Sequence, residues 1–140
     1  MKRLVLVLAL VVAGCNAPAA TPVPTAAPTA VPTHVITGQL TLIGFSTVTL
    51  ATQCFGKGGY DDLKEGATVT LRDQSSTILA STALGAGVAS AGACTFPFTL
   101  TGVPDTASFY VIEVSHRGQV TKSHAEMVDA GWIFDLTIGS

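Results

Sequence analysis

The chain reads as all-β: a small antiparallel β-sandwich with one short helix before the last strand, preceded by a disordered Pro/Thr/Ala stalk. Three observations predict it. From His34 onward apolar residues recur with a period of two, which sends alternate side chains to opposite faces of a strand. The alternating segments are short and punctuated by Gly, Pro and Asp, the spacing of an all-β domain. A chain of 140 residues has room for one domain and a tail.

In the first strand Ile36, Gly38, Leu40 and Leu42 face one side while Thr37, Gln39 and Thr41 face the other. The same alternation in Val48–Leu50, Val69–Leu71, Ile78–Ala80, Phe96-Phe98-Leu100 and Tyr110-Ile112-Val114 sends one residue set of each strand into a shared core. His116-Arg117-Gly118-Gln119 separates Tyr110–Ser115 from Val120–Lys122, and the glycine permits the positive φ that closes a hairpin. Ser123-His124-Ala125-Glu126 has the form of a capping box, in which Ser123 accepts from the amide of Glu126 and Glu126 reaches back. A helix of about two turns follows, pressing Met127 inward and ending at Gly131. That role makes Glu126 structural before it is catalytic. Trp132-Phe134-Leu136-Ile138 is the clearest strand, with Asp135 and Thr137 between its apolar residues, and Trp132 is expected to bury the largest single area.

Ahead of the domain at 34–140, residues 1–14 read as a signal peptide and 15–33 as a linker. The apolar run Leu4–Val12 follows Lys2 and Arg3 and is far shorter than the ~20 residues that cross a bilayer, which suits the central region of a cleaved signal. Val12-Ala13-Gly14-Cys15 resembles a bacterial lipobox. The resemblance implies cleavage before Cys15, a lipid on its sulfur and a stable anchor of more than one acyl chain. An uncleaved anchor and a signal without lipid are the alternatives. Asn16–Thr33 is uncharged and holds Pro18, Pro22, Pro24, Pro28 and Pro32. Proline removes backbone donors, and Thr and Ala offer too little apolar surface to offset ordering, so a polyproline II stalk reaching on the order of 55 Å is expected.

Removing Lys2 and Arg3 with the signal leaves five basic against nine acidic side chains, a net charge near −4 with His neutral. Lys57, Lys64, Arg72, Arg117 and Lys122 are scattered and form no basic stripe, which argues against nucleic acid as a partner. With Cys15 lipidated, Cys54 and Cys94 remain as an even pair in an oxidising compartment, and a disulfide is expected. By chain entropy it contributes on the order of 4 kcal/mol. A metal pair or a reactive thiol is the alternative, although neither cysteine has a His or a second Cys at ligand spacing.

The densest local signal is Cys54-Phe55-Gly56-Lys57-Gly58-Gly59-Tyr60-Asp61-Asp62-Leu63-Lys64-Glu65-Gly66. It is no phosphate loop, because Lys57 is followed by glycine rather than Ser or Thr. Asp61, Asp62 and Glu65 could hold calcium, but the order of an EF-hand is absent. The preferred expectation is a helical turn capped by Asp61 or Asp62, with Glu65 near its third position and Gly66 ending it. His34, His116 and His124 lie on different segments without a catalytic or metal-binding spacing, and Ser115-His116 and Ser123-His124 are neighbours in sequence, which supplies no triad geometry. No catalytic residue, metal site or cofactor is assigned.

Ile36-Thr37-Gly38-Gln39-Leu40, Glu65-Gly66-Ala67-Thr68-Val69-Thr70-Leu71-Arg72-Asp73, Phe96-Pro97-Phe98-Thr99-Leu100-Thr101-Gly102-Val103-Pro104 and Tyr110-Val111-Ile112-Glu113-Val114 together resemble carboxypeptidase-regulatory-like domains, which are small transthyretin-like β-sandwiches. The chain departs from that pattern at Gly85–Gly92, in its Cys54/Cys94 pair and in Gly131-Trp132. The whole arrangement also looks like domains of bacterial lipoproteins of unassigned function. The resemblance implies a fold and an address and carries no catalytic residue across.

The expectation is therefore a lipoprotein of the bacterial cell envelope, held on the extracytoplasmic side through Cys15, whose sandwich is a non-catalytic binding or structural module. An envelope protein or a glycan is the expected ligand, and Phe55, Tyr60, Arg117 and Lys122 are the expected exposed contacts. The alternative is a small hydrolase or metal-dependent enzyme using His116 with Asp61 or Asp62, which requires one pocket to join them.

Overall fold

The computed structural model describes residues 29–44 and 47–139, with backbone alone for 47–50. The signal segment, Cys15 and the linker through Pro28 lie outside the described residues. Two sheets face each other. The first has the order β10 (Ile133–Ile138), β1 (Thr33–Ile43), β7 (Ala93–Pro104), β6 (Gly87–Ser90), β3 (Gln53–Gly56) and β2 (Thr47–Leu50). The second has the order β5 (Ile78–Ala83), β4 (Thr68–Arg72), β8 (Phe109–Val114) and β9 (Gln119–Ser123). Helix α1 (His124–Asp129) joins β9 to β10.

The two-residue period puts the core where the sequence places it. Ile36, Leu40 and Leu42 of β1, Val69 and Leu71 of β4, Phe96, Phe98 and Leu100 of β7, Tyr110, Ile112 and Val114 of β8, and Phe134 of β10 are all buried. Each large side chain among them contributes about 1.5–3 kcal/mol by leaving water. Gly38 belongs to the same inward row, and its missing side chain is structural. A Cβ there would stand 2.3 Å from the Phe134 carbonyl and 2.5 Å from Cζ of Phe98, so the Phe98 ring fills the space. The capping box forms: the Glu126 amide donates to Ser123 Oγ, and the Ser123 amide donates to Glu126 Oε2 at 2.7 Å. Met127 is buried, and Gly131 follows the helix at φ +63.

Three expectations are corrected. Trp132 stands outside its expected strand and is partly buried, while the largest side chains wholly inside are Tyr110, Phe96 and Phe134. Trp132 precedes β10 and has a positive φ of 62°, so it lies over the end of the core rather than within a strand row. Ile78 is 56% exposed because it begins an edge strand. Asp61–Gly66 forms successive turns instead of a capped helical turn, since buried Leu63 and the bond from the Gly56 amide to its carbonyl hold the segment against β3. The antiparallel-rich sandwich contains one parallel pair. β10 runs parallel to β1, from Thr37 opposite Ile133 to Leu42 opposite Ile138. The crossing from the second sheet to the first is made by α1, at the end of the sandwich where β1 begins, so β10 must set out in the direction of β1.

Cys54 and Cys94 are joined by a disulfide, with their Cα atoms 5.7 Å apart. That distance has a consequence for the sheet, because β6 lies between their strands. Two strands separated by a third stand roughly 9.5 Å apart in a flat sheet. The first sheet is therefore creased at β6, which brings β3 toward the inner side of β7. Gly87 sits in the crease, opposite Cys54 in the ladder. A Cβ there would meet the Cys54 carbonyl at 2.3 Å, Phe96 Cε1 at 2.7 Å and Cys94 Sγ at 2.8 Å. Only glycine fits beneath the bridge.

Replacing both Cys54 and Cys94 by alanine is expected to lower unfolding stability by about 2–5 kcal/mol. Urea unfolding of the double variant measures this, and a loss below about 1 kcal/mol would show that the crease holds without the bond.

Candidate functional site

The segment following β3 builds a concavity with β3 itself and the start of β6. A groove of about 500 Å³ is lined by Gln53, Cys54, Phe55 and Gly56 of β3, by Asp61, Lys64 and Glu65 of the succeeding turns, and by Ala86 and Gly87 where β6 starts. This volume lies in the range of small-ligand sites, about 300–1,000 Å³. The groove exists because β6 is short and the sheet is creased. Before Gly87 the chain lies beside β7, with the Gly85 amide bonding the Pro97 carbonyl at 2.7 Å.

Arg117 fixes the far wall of this segment. Its Nε donates to Asp62 Oδ2 at 2.9 Å, and its Nη2 donates to Asp62 Oδ1 and to the Gly59 carbonyl. The guanidinium also lies over the Tyr60 ring, 4.8 Å from its centroid. A bidentate fork of this kind holds a carboxylate in one orientation as well as one place. Leu63 anchors the same turns in the core, and Asp61 Oδ2 accepts from the Gly59 amide at 3.3 Å.

A second polar cluster gathers at the end of the sandwich where β1 starts. His124 Nε2 stands 2.6 Å from Asp105 Oδ1, and the ionised carboxylate requires that nitrogen to carry the proton. His34 Nε2 is shielded from solvent and lies 3.2 Å from Asp105 Oδ2 without the geometry of a hydrogen bond. The His34 ring stacks on Trp132 at 3.7 Å between centroids, and Tyr110 meets Trp132 edge-on at 5.5 Å. Tyr110 donates its hydroxyl to the Pro104 carbonyl at 2.9 Å, and the Asp105 amide bonds the Pro32 carbonyl at 3.0 Å. Hydrogen bonding from His124, with the close approach of His34 adding to it, holds the Asp105 carboxyl below its ordinary value. Burial, and then the charge of Asp105, pushes the Tyr110 hydroxyl up. The Ser123 backbone and hydroxyl hold the Glu126 carboxyl low.

The sequence-derived candidates are distributed as follows. Phe55 lines the groove and is 37% exposed. Tyr60, Arg117 and Lys122, expected to be exposed, are partly buried in internal contacts. Tyr60 lies under Arg117, while Lys122 bonds the Ile133 carbonyl at 3.1 Å and covers the Phe134 ring. His116 points into solvent near Glu113, whereas Asp61 faces the groove and Asp62 is held by Arg117, so no one cavity among the described residues joins the three. Among the described residues, no three His, Cys, Asp or Glu side chains stand in a metal-holding arrangement. The His34–Asp105–His124 meeting has no signal in the sequence. Pro104-Asp105 marks a turn, and nothing in the spacing ties it to either histidine. Comparison with protein-family models, curated proteins and solved structures finds no match to this chain.

The lowered Asp105 value fixes a sign. Its contribution to stability is present above the ordinary aspartate value of 3.8 and is lost as pH falls through the folded-state value. Asp105→Asn is therefore expected to destabilise the domain at pH 7, with the gap to wild type closing as the medium is acidified below about pH 4. Denaturant unfolding across that range is the check, and a gap independent of pH would refute an origin in the ionised, hydrogen-bonded carboxylate. Arg117→Met is expected to speed amide exchange across residues 57–63 while leaving β1, β7 and β8 protected. Unchanged exchange there would mean that Leu63 alone holds the turns.

Proposed function

We propose that this chain is a lipid-anchored, non-catalytic binding module of the bacterial cell envelope, tethered on the extracytoplasmic side through Cys15 and presenting its ligand site in the groove beside β6. The observation that carries the binding part is the groove itself, a concavity of ligand size walled by turns that Arg117 and Leu63 hold in place. The anchoring part rests on the sequence Val12-Ala13-Gly14-Cys15 and on the proline-rich segment after it. The Cys54–Cys94 disulfide is compatible with an extracytoplasmic address, since such bonds persist in oxidising compartments. The non-catalytic part draws on how the chemistry-bearing side chains are engaged. Asp62 serves Arg117, Glu126 and Ser123 serve the helix cap, and His124 serves Asp105. An envelope protein or glycan segment is the class of partner in this reading, and the kinship with carboxypeptidase-regulatory-like sandwiches belongs to the same proposal.

Metabolic labelling with an alkynyl palmitate analogue tests the anchor. The full chain is expected to take up label and sediment with membranes, whereas Cys15→Ser is expected to lose the label and the tight membrane association. An unlabelled mature wild-type chain would overturn the anchor.

A further inference from the structure

The groove carries charge of both signs at its rim, held apart from counter-charges elsewhere in the molecule. Asp61, Lys64 and Glu65 line it and are exposed. Among the described residues neither Lys64 nor Glu65 takes part in an ion pair, and Asp61 bonds only the Gly59 amide. This sets the rim apart from Asp62 and Asp105, which are paired. The lining also includes exposed Phe55, buried Cys54 and Gly56, and Gly87.

These observations select among ligands by charge and polarity. A ligand that fills the groove displaces water from both carboxylates and the ammonium, which costs free energy unless the ligand returns charges of its own. An apolar ligand or a neutral sugar returns none. An anionic polymer meets two carboxylates against one ammonium. A ligand with an ammonium and a carboxylate a few bonds apart answers both signs with charge-assisted hydrogen bonds, and an apolar side chain beside them has Phe55 to cover. Resting on the reading of the groove as the ligand site, we infer that it receives a short zwitterionic peptide, with the peptide ammonium at Asp61 and Glu65, its carboxylate at Lys64 and an apolar side chain on Phe55.

The test is a titration of the isotopically labelled full chain in detergent micelles, followed by NMR, with four probes: the dipeptide alanyl-leucine, its N-acetyl form, its C-terminal amide and the neutral disaccharide cellobiose. The free dipeptide is expected to shift the amides of Phe55, Lys64 and Gly87, and acetylation or amidation is each expected to weaken binding about tenfold. In Lys64→Gln the penalty for amidation is expected to disappear while that for acetylation stays. If the three peptide forms bind equally, or if the disaccharide shifts these amides and the peptides do not, the groove stands as a site and the zwitterion assignment falls. If no probe shifts them, while the spectrum shows a folded domain, both the assignment and the groove reading fall.

Discussion

The crease of the first sheet at β6 is the constraint on which the rest of this molecule depends. Cys54 and Cys94 belong to strands with a third strand between them, yet their Cα atoms are 5.7 Å apart. The disulfide, the glycine at position 87 and the shortness of β6 are three aspects of one solution. Had residue 87 any side chain, it would occupy the place of Cys94 Sγ and the Phe96 ring, and the sheet would have to flatten. Flattening would carry β3 and its following turns away from the second sheet, and with them the Asp62 that Arg117 holds. The groove, the Arg117 fork and the buried Leu63 thus follow from one local fold of the backbone.

Strand direction separates the two polar clusters. β1 starts, β7 ends, β9 ends and β10 starts at the same end of the sandwich, where Thr33 lies opposite Pro104 and Phe109 opposite Ser123. His34, Asp105, His124 and Trp132 meet there because each belongs to one of those chain ends or to the connection beside it. The β8–β9 turn with Arg117 lies at the opposite end, beyond Glu113 and Gln119. Both clusters join residues remote in sequence, so each ties connections that strand pairing alone would leave loose.

Much of the architecture could be read from residue order, and the parts that could not share a physical cause. Alternation in Ile36–Leu42, Phe96–Leu100 and Tyr110–Val114 encodes burial directly, and Ser123–Glu126 encodes a cap through purely local bonds. The Cys54/Cys94 pairing was legible by counting. The stretch Cys54–Gly66 is the densest local signal, but its residue types do not encode the groove that it lines. Asp61, Asp62 and Glu65 have the types of a helix start, and the tertiary pull of Leu63 and Arg117 imposes turns instead. Trp132 was misplaced for a similar reason. Its period fits the strand, whereas its left-handed φ lifts it onto His34. Gly85–Gly92, where the chain departs from the resemblance, contains β6, which is held by the ladders on both sides. Features set by distant partners were the ones that local chemistry could not announce.

The position of β1 also decides how this domain would respond to tension. A pull through the residues before Thr33 runs along β1, which lies between β10 and β7 and is paired to both from Thr37 to Leu42. Such a strand is sheared, so its ladder bonds resist together, instead of being peeled open one after another. From β7 the load passes through the sulfur bridge to β3 by covalent linkage. Force arriving at one end of the sandwich therefore reaches the wall of the groove through one hydrogen-bonded ladder and one covalent bridge.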